Sequence, residues 1–183
     1  MREYFVGRAI QSALTHMMDS EYTEALIALR PALDETARLH YRKRWKSRAG
    51  SVRFLDEHRD IIAKVGLNDI GFGADDLSFL PLDTRSKRTH SLGAVIYYLM
   101  CSRKGRSTLL WQQRAGWVVD DAGELCVDPM LLSGIIMSIV GCPVNRNEQI
   151  ENWYWLPSTV LQNPINTLWG SEARVRQRIF GDA

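Results

Sequence analysis

Apolar residues recur three and four positions apart from Glu3 to Met18, at Phe5, Val6, Ala9, Ile10, Ala13, Leu14 and Met17. This spacing predicts a helix with one core-facing side. A second helix is expected from near Ser20, where Ser-Glu-Tyr-Thr-Glu offers a capping signal, and its apolar stripe runs through Ala25, Leu26, Ala28, Leu29, Leu33, Ala37 and Leu39. Pro31 removes one backbone donor from its middle, so a kink or break is expected inside a region that stays helical. A third helix is expected from about Ser51 to Val65 on Phe54, Leu55, Ile61, Ile62 and Val65, with Gly66 placed to end it. Between Gly66 and Asp83 the period is lost, and Gly71, Gly73 and Pro81 point to a loop with short helical turns.

Helical pattern returns from about Ser91 to Ser102, and then the period changes to two. Leu109 to Gln112, Trp117 to Val119 and Glu124 to Val127 read as short strands, with Asp120-Asp121-Ala122-Gly123 as a turn between the last two. Pro129 opens another apolar helix, Met130 to Val140, at a position where its missing N–H costs nothing. In the tail, short helices are expected around Asn166 to Gly170 and Ala173 to Ile179. The pattern predicts a mainly α fold: a helical bundle over residues 1–183 as a single domain, with a small β-hairpin or three-strand insertion at about 108–128 and an irregular, short-helix tail at 143–183.

Composition narrows the class. The chain has 183 residues, of which 45% are hydrophobic and 24% charged, enough apolar material for one sizeable core and too much for a disordered chain. Cys101, Cys126 and Cys142 are odd in number and widely spaced, with no CxxC pair, so they are read as reduced, mostly buried thiols of a cytoplasmic protein. The apolar runs are too short to span a bilayer, and the start of the chain lacks the continuous apolar stretch of a signal peptide, so no membrane partner is expected. No cofactor or metal is expected either, because no HExxH, GxSxG, phosphate loop or dinucleotide fingerprint is present.

The net charge is only +2, yet the cations are unevenly placed. From Thr36 to Leu55 there are seven Lys or Arg and no acid, with Tyr41 and Trp45 interleaved. Arg42, Arg44 and Lys46 could contact RNA phosphates while an aromatic ring stacks on a base. The plainer reading is a solvated helix C-terminus whose positive charge complements the helix dipole. A second cluster, Arg103, Lys104 and Arg106 around Gly105, follows the central apolar helix and could bind an anion. Its plainer reading is a cationic helix end stopped at Gly105.

The segment from Tyr22 to Arg38, Tyr-Thr-Glu-Ala-Leu-Ile-Ala-Leu-Arg-Pro-Ala-Leu-Asp-Glu-Thr-Ala-Arg, resembles the early helices of HEPN-domain proteins, which often end in such a stretch followed by basic residues. The order that follows, a helix containing Ile96-Tyr97, a short β element, the helix Leu131 to Val140 and the tail Ile165-Asn-Thr-Leu-Trp-Gly170, is similar to one branch of that superfamily. The resemblance implies a homodimer that binds RNA or an RNA-processing partner protein in a toxin-antitoxin or antiviral setting. HEPN ribonucleases carry an Arg, four to six residues and then a His, the Arg stabilising charge on the phosphate and the His moving the proton. On the matching helix those positions fall near Cys101 and Arg106, so the motif looks degenerate, and the resemblance implies that Arg103, Lys104 and Arg106 line the corresponding groove with Asp34 as an orienting acid.

Arg53 with His58 and Arg85 with His90 also fit Arg-x4-His. With 18 Arg and four His, chance alone gives about one such match. Arg53 and His58 would point to different faces of one helix. Arg85 and His90 define the alternative, an active metal-independent endoribonuclease. A third reading is a protein-protein interaction module using Trp153, Tyr154, Trp155 and Trp169.

Overall fold

The computed structural model describes residues 4–42, 47–66, 90–107, 109–113, 117–119, 124–151 and 165–181. The expected loop between Gly66 and Asp83 and the turn at 120–123 lie outside these residues. The first two helices are α1 (Phe5–Met18) and α2 (Tyr22–His40), and they pack along each other as a hairpin. Ser20 does not cap α2. It takes the left-handed conformation (φ 62°) that lets a short link reverse the chain. The link is then held by the Glu21 N–H donating to His16 O and by the Glu21 carboxylate 2.7 Å from His16 Nδ1. α2 runs through Pro31, which is exposed, so the carbonyl it leaves without a helical partner faces water.

The helix expected from Ser51 to Val65 is two helices, α3 (Ser47–Glu57) and α4 (Arg59–Gly66), broken at His58. The His58 ring is buried at 4% exposure, stacks on Phe54 and places Nδ1 2.9 Å from Phe54 O. That carbonyl also accepts the His58 backbone N–H at 3.1 Å, so its two lone pairs serve ring and backbone together. Next comes α5 (Leu92–Cys101), followed by α6 (Arg103–Arg106), a single turn.

The three strands β1 (Leu109–Trp111), β2 (Trp117–Val119) and β3 (Leu125–Val127) form a sheet in the order β1-β3-β2. β2 and β3 are antiparallel, Trp117 opposite Val127, whereas β1 runs parallel to β3, Leu109 opposite Leu125. Trp111 anchors the sheet on the start of α2, donating from Nε1 to Thr23 Oγ1 at 2.9 Å with its ring beside Tyr22.

α7 (Met130–Gly141) is buried from Leu131 to Gly141 and forms the centre of the bundle. Asp128 starts it by accepting the Met130 N–H. Gly134 of α7 lies against the Ile62 backbone of α4, so these helices approach with nothing between them. A 3-10 turn (Ile165–Thr167) and α8 (Glu172–Phe180) close the fold against α7 and α4. The structure is therefore a mainly α bundle with a three-strand insertion before α7. Its buried apolar side chains form one cluster. Among the described residues no helix is long and apolar enough to cross a membrane.

Candidate nucleic-acid interface

α5 is fixed at both ends. Ser91 Oγ accepts from the Ala94 N–H, and Asp56 Oδ1 of α3 accepts from the Gly93 N–H at 2.8 Å, which satisfies its N-terminus. At the other end Ser102 Oγ accepts from the Gly105 N–H at 3.1 Å and starts α6. Gly105 is thus not the stop of the apolar helix but an interior residue of a new turn. It is glycine because of a close approach: a Cβ there would stand 2.5 Å from Tyr98 Cε1.

The three cations of this turn have different fates. Arg106 folds back and donates from one nitrogen to Leu99 O at 3.1 Å and Met100 O at 3.0 Å, so it caps the C-terminus of α5. The fold thus gives Arg106 a structural role beside the phosphate contact expected of it. Arg103 and Lys104 are exposed, and neither forms an ion pair among the described residues. The side chain at the other motif position, Cys101, is exposed as well, whereas Cys126 and Cys142 are buried; all three thiols are free, and most are buried as expected.

Asp34 lies on α2. One of its oxygens accepts from Ser51 Oγ at 2.6 Å and ties α2 to α3; the other lies 3.6 Å from Arg30 Nε. Asp34 does orient a cation, but that cation is Arg30. The Arg30 guanidinium is pushed further toward its charged form, by Cys101 first and then by Tyr97 and Asp34, with burial opposing. Sequence reasoning passed over Arg30. Its i,i+4 pair with Asp34 was visible in the chain.

The basic stretch from Thr36 to Leu55 is less basic in the fold than along the chain. Arg38 pairs with Glu35 and Arg53 with Glu57, two acids just outside the stretch at helical spacing. Tyr41 is no free stacking platform: Arg53 lies 5.4 Å over its ring and its hydroxyl donates to Glu57. Arg42 is exposed at the end of α2, in the left-handed conformation. Arg44 and Lys46 lie outside the described residues.

His90 precedes the cap of α5 and is half-buried. It stands at the opposite end of α5 from Arg103, about 15 Å away along the axis, so the two belong to different sites. Its expected partner Arg85 lies outside the described residues. Arg53 and His58 do not converge, one being exposed and ion-paired and the other in the core. Of the aromatic tail, Trp153, Tyr154 and Trp155 lie outside the described residues, while Trp169 is only 7% exposed and donates to Asn166 Oδ1. Trp169 therefore packs inward and is not part of a partner surface.

The remaining Cys–His neighbours carry no nucleophile. Cys142 Sγ lies 3.5 Å from His40 Nδ1, but the thiol has no exposed surface and burial pushes its pKa up to about 11, so it keeps its proton. Among the described residues no three His, Cys, Asp or Glu are placed to hold a metal ion.

His58 makes the fold pH-sensitive. Burial pushes its imidazole below the ordinary value of 6.5, against the opposing pull of the Phe54 carbonyl and Glu172, with Arg176 and His40 adding to the downward shift. The folded protein then binds fewer protons than the unfolded chain in acid. The contribution of His58 is fully present above about pH 6.5 and is lost as pH falls toward and through its lowered value. The urea midpoint is expected to fall between about pH 7.5 and 5.5, and His58→Leu should flatten that slope. An unchanged slope in the variant would assign the pH dependence elsewhere.

No curated protein and no solved structure matches the chain. A family model, Rv1289, matches residues 5–182. The chain, matched over almost its whole length, belongs to the Rv1289 family.

Proposed function

We propose that the protein binds RNA, as a catalytically degenerate HEPN-like member, through the surface where α5 ends and α6 begins. One observation carries the reading. At the position where the resemblance places the Arg and His of a ribonuclease, the chain builds a capped turn that presents Arg103 and Lys104 to solvent without an acidic partner among the described residues. Two such cations supply phosphate contacts. Of the described histidines, His90 lies at the far end of α5, His40 and His58 pack beside Phe54, and His16 is held by Glu21 in the link between α1 and α2. Neither the Arg nor the His of the ribonuclease motif stands at its expected position on α5, where the chain has Cys101 and Arg106, and this supports binding without cleavage. The homodimer and the toxin-antitoxin or antiviral setting stay with the resemblance.

Retention of a labelled mixed-sequence RNA at several salt concentrations, in chelator, tests the reading. The double variant Arg103→Ala/Lys104→Ala is expected to lose about tenfold or more in affinity at low salt and to flatten the salt slope by about two contacts. The retained RNA should stay intact in the wild type. Equal affinity of variant and wild type at low salt would remove the proposal, and cleavage abolished by His90→Ala would replace it with the endoribonuclease reading.

A further inference from the structure

α8 packs with its apolar side inward. Val175 and Ile179 are buried, and Val175 meets α7 at Gly141, where a Cβ would stand 3.1 Å from Val175 Cγ2. The outer side carries Arg174 and Arg178, both exposed, four residues apart and so about 6 Å apart along one flank of the helix. A third exposed arginine, Arg146, comes to the start of α8 from another part of the chain. Gly170, two residues before α8, has a φ of 66° and lies so close that a Cβ on it would stand 2.4 Å from Arg146 Cβ. The turn is fixed by the Gly170 N–H donating to Val140 O at 2.8 Å and by the Asn166 side chain, which exchanges two hydrogen bonds with the Ile150 backbone. Arg174 reaches back along it and donates from Nη1 to Thr167 O at 3.2 Å.

The fold does not neutralise these arginines. None of the three forms an ion pair among the described residues. Glu172 is taken by Arg176, which also pairs with Asp60, and Glu148 accepts the Gly7 N–H at 2.8 Å. Glu151 is tied by its backbone N–H to Gln11 of α1. From Asn152 to Ser171 the sequence has no charged residue. Complementing the helix dipole explains Arg178, in the last turn of α8. It does not explain Arg174, in the first turn, where a cation opposes the dipole, or Arg146, which lies outside the helix.

We infer that the outer face of α8 is a second RNA contact, in which Arg146, Arg174 and Arg178 bind phosphates of one strand. This rests on the RNA-binding reading above and extends it to a surface that the resemblance does not supply. Planar forks set in a row suit a polyanion better than a single anion. An anionic membrane is served less well: a helix lying on lipid turns its apolar side outward, whereas α8 has buried that side and leaves only Phe180 as a large apolar residue outside.

The full chain is treated with phenylglyoxal, which modifies accessible guanidinium groups, with and without saturating mixed-sequence single-stranded RNA, and each arginine is read by peptide-resolved mass spectrometry. RNA is expected to slow modification of Arg146, Arg174 and Arg178 at least about threefold. In retention measurements Arg146→Gln/Arg178→Gln is expected to lower affinity about three- to tenfold and to flatten the salt slope by about two contacts, while the urea midpoint stays that of the wild type. Its loss should multiply with that of Arg103→Ala/Lys104→Ala, because the two surfaces touch different phosphates. RNA held at full affinity while all three arginines react at their free rates would overturn the second contact and leave the α6 reading standing, as would unchanged affinity of Arg146→Gln/Arg178→Gln at low salt. Capture by phosphatidylserine vesicles that is lost in this variant, with RNA affinity unchanged, would overturn RNA as the occupant in favour of an anionic membrane. Absence of RNA retention by the wild type would overturn both readings together. The wild-type footprint needs no substitution, so the outcome does not depend on a variant folding.

Discussion

Gly134→Val is expected to destabilise the fold by about 3 kcal/mol, at the upper end of the cost of overpacking a core. A Cβ at this position would stand 2.7 Å from the carbonyl oxygen and 2.9 Å from the Cα of Ile62. These are backbone atoms of α4, which cannot swing aside as a flexible side chain would. α7 cannot retreat either, because it is buried along its length. The replacement gains some intrinsic helix propensity, less than about 1 kcal/mol, so the clash wins. Against a typical stability of about 5–15 kcal/mol, a loss of this size is a large fraction. It is read as a lower urea midpoint at unchanged slope. A midpoint within error of wild type would mean that α4 and α7 are not in backbone contact at this point.

Asn145→Asp should cost about 3 kcal/mol at neutral pH, by leaving a charge buried without a partner. Asn145 is 1% exposed, and its Nδ2 donates at 2.8 Å both to Thr36 Oγ1 on α2 and to Ile139 O near the end of α7. The aspartate is nearly the same shape but puts an acceptor where the Ile139 carbonyl needs a donor. The Thr36 hydroxyl can turn to donate, whereas the carbonyl cannot. Burial raises the folded pKa of such a carboxyl above its unfolded value near 4, so the penalty is full at neutral pH and shrinks as pH falls through the raised value. The difference between variant and wild type is therefore expected to be smaller at about pH 5 than at pH 7. This sign is opposite to that of His58, which lowers the stability of both proteins in acid, so the two effects are separable by comparing them at each pH. A difference that stays constant with pH would show that the new carboxyl is solvated. Because Asn145 ties α2 to α7, the substitution also tests what holds α2, the carrier of Arg30 and Asp34, in place.

The site was only partly legible in the chain. The cluster at Arg103 and Lys104 could be found from its position after an apolar helix, yet the role of Arg106 could not. Whether an arginine reaches back to the carbonyls of Leu99 and Met100 depends on the turn between them, and that turn depends on Ser102 and on Gly105 fitting against Tyr98. The stretch from Thr36 to Leu55 was partly legible for a different reason. Its lack of acids was real, but a helix brings residues three and four apart together, so Glu35 and Glu57 neutralise Arg38 and Arg53 from just outside.

The sequence by itself determined the helices whose apolar spacing is clear, α1, α2, α5 and α7, as well as the change to strands after α6 and the start of α7 at Pro129. These features are local: a repeating apolar stripe buries only in a helix, and a two-residue period only in a strand. Tertiary structure decided the rest. The interruption between α3 and α4 at the buried His58, and the order β1-β3-β2 with Trp111 set on Thr23 and Tyr22, follow from no local spacing. The tie of Asp34 on α2 to Ser51 on α3, and of Asn145 to Thr36 and Ile139, joins residues on different elements. Periodicity says which face of a helix is covered; which helix covers it, and which charged ends then become neighbours, is settled only when the faces pack.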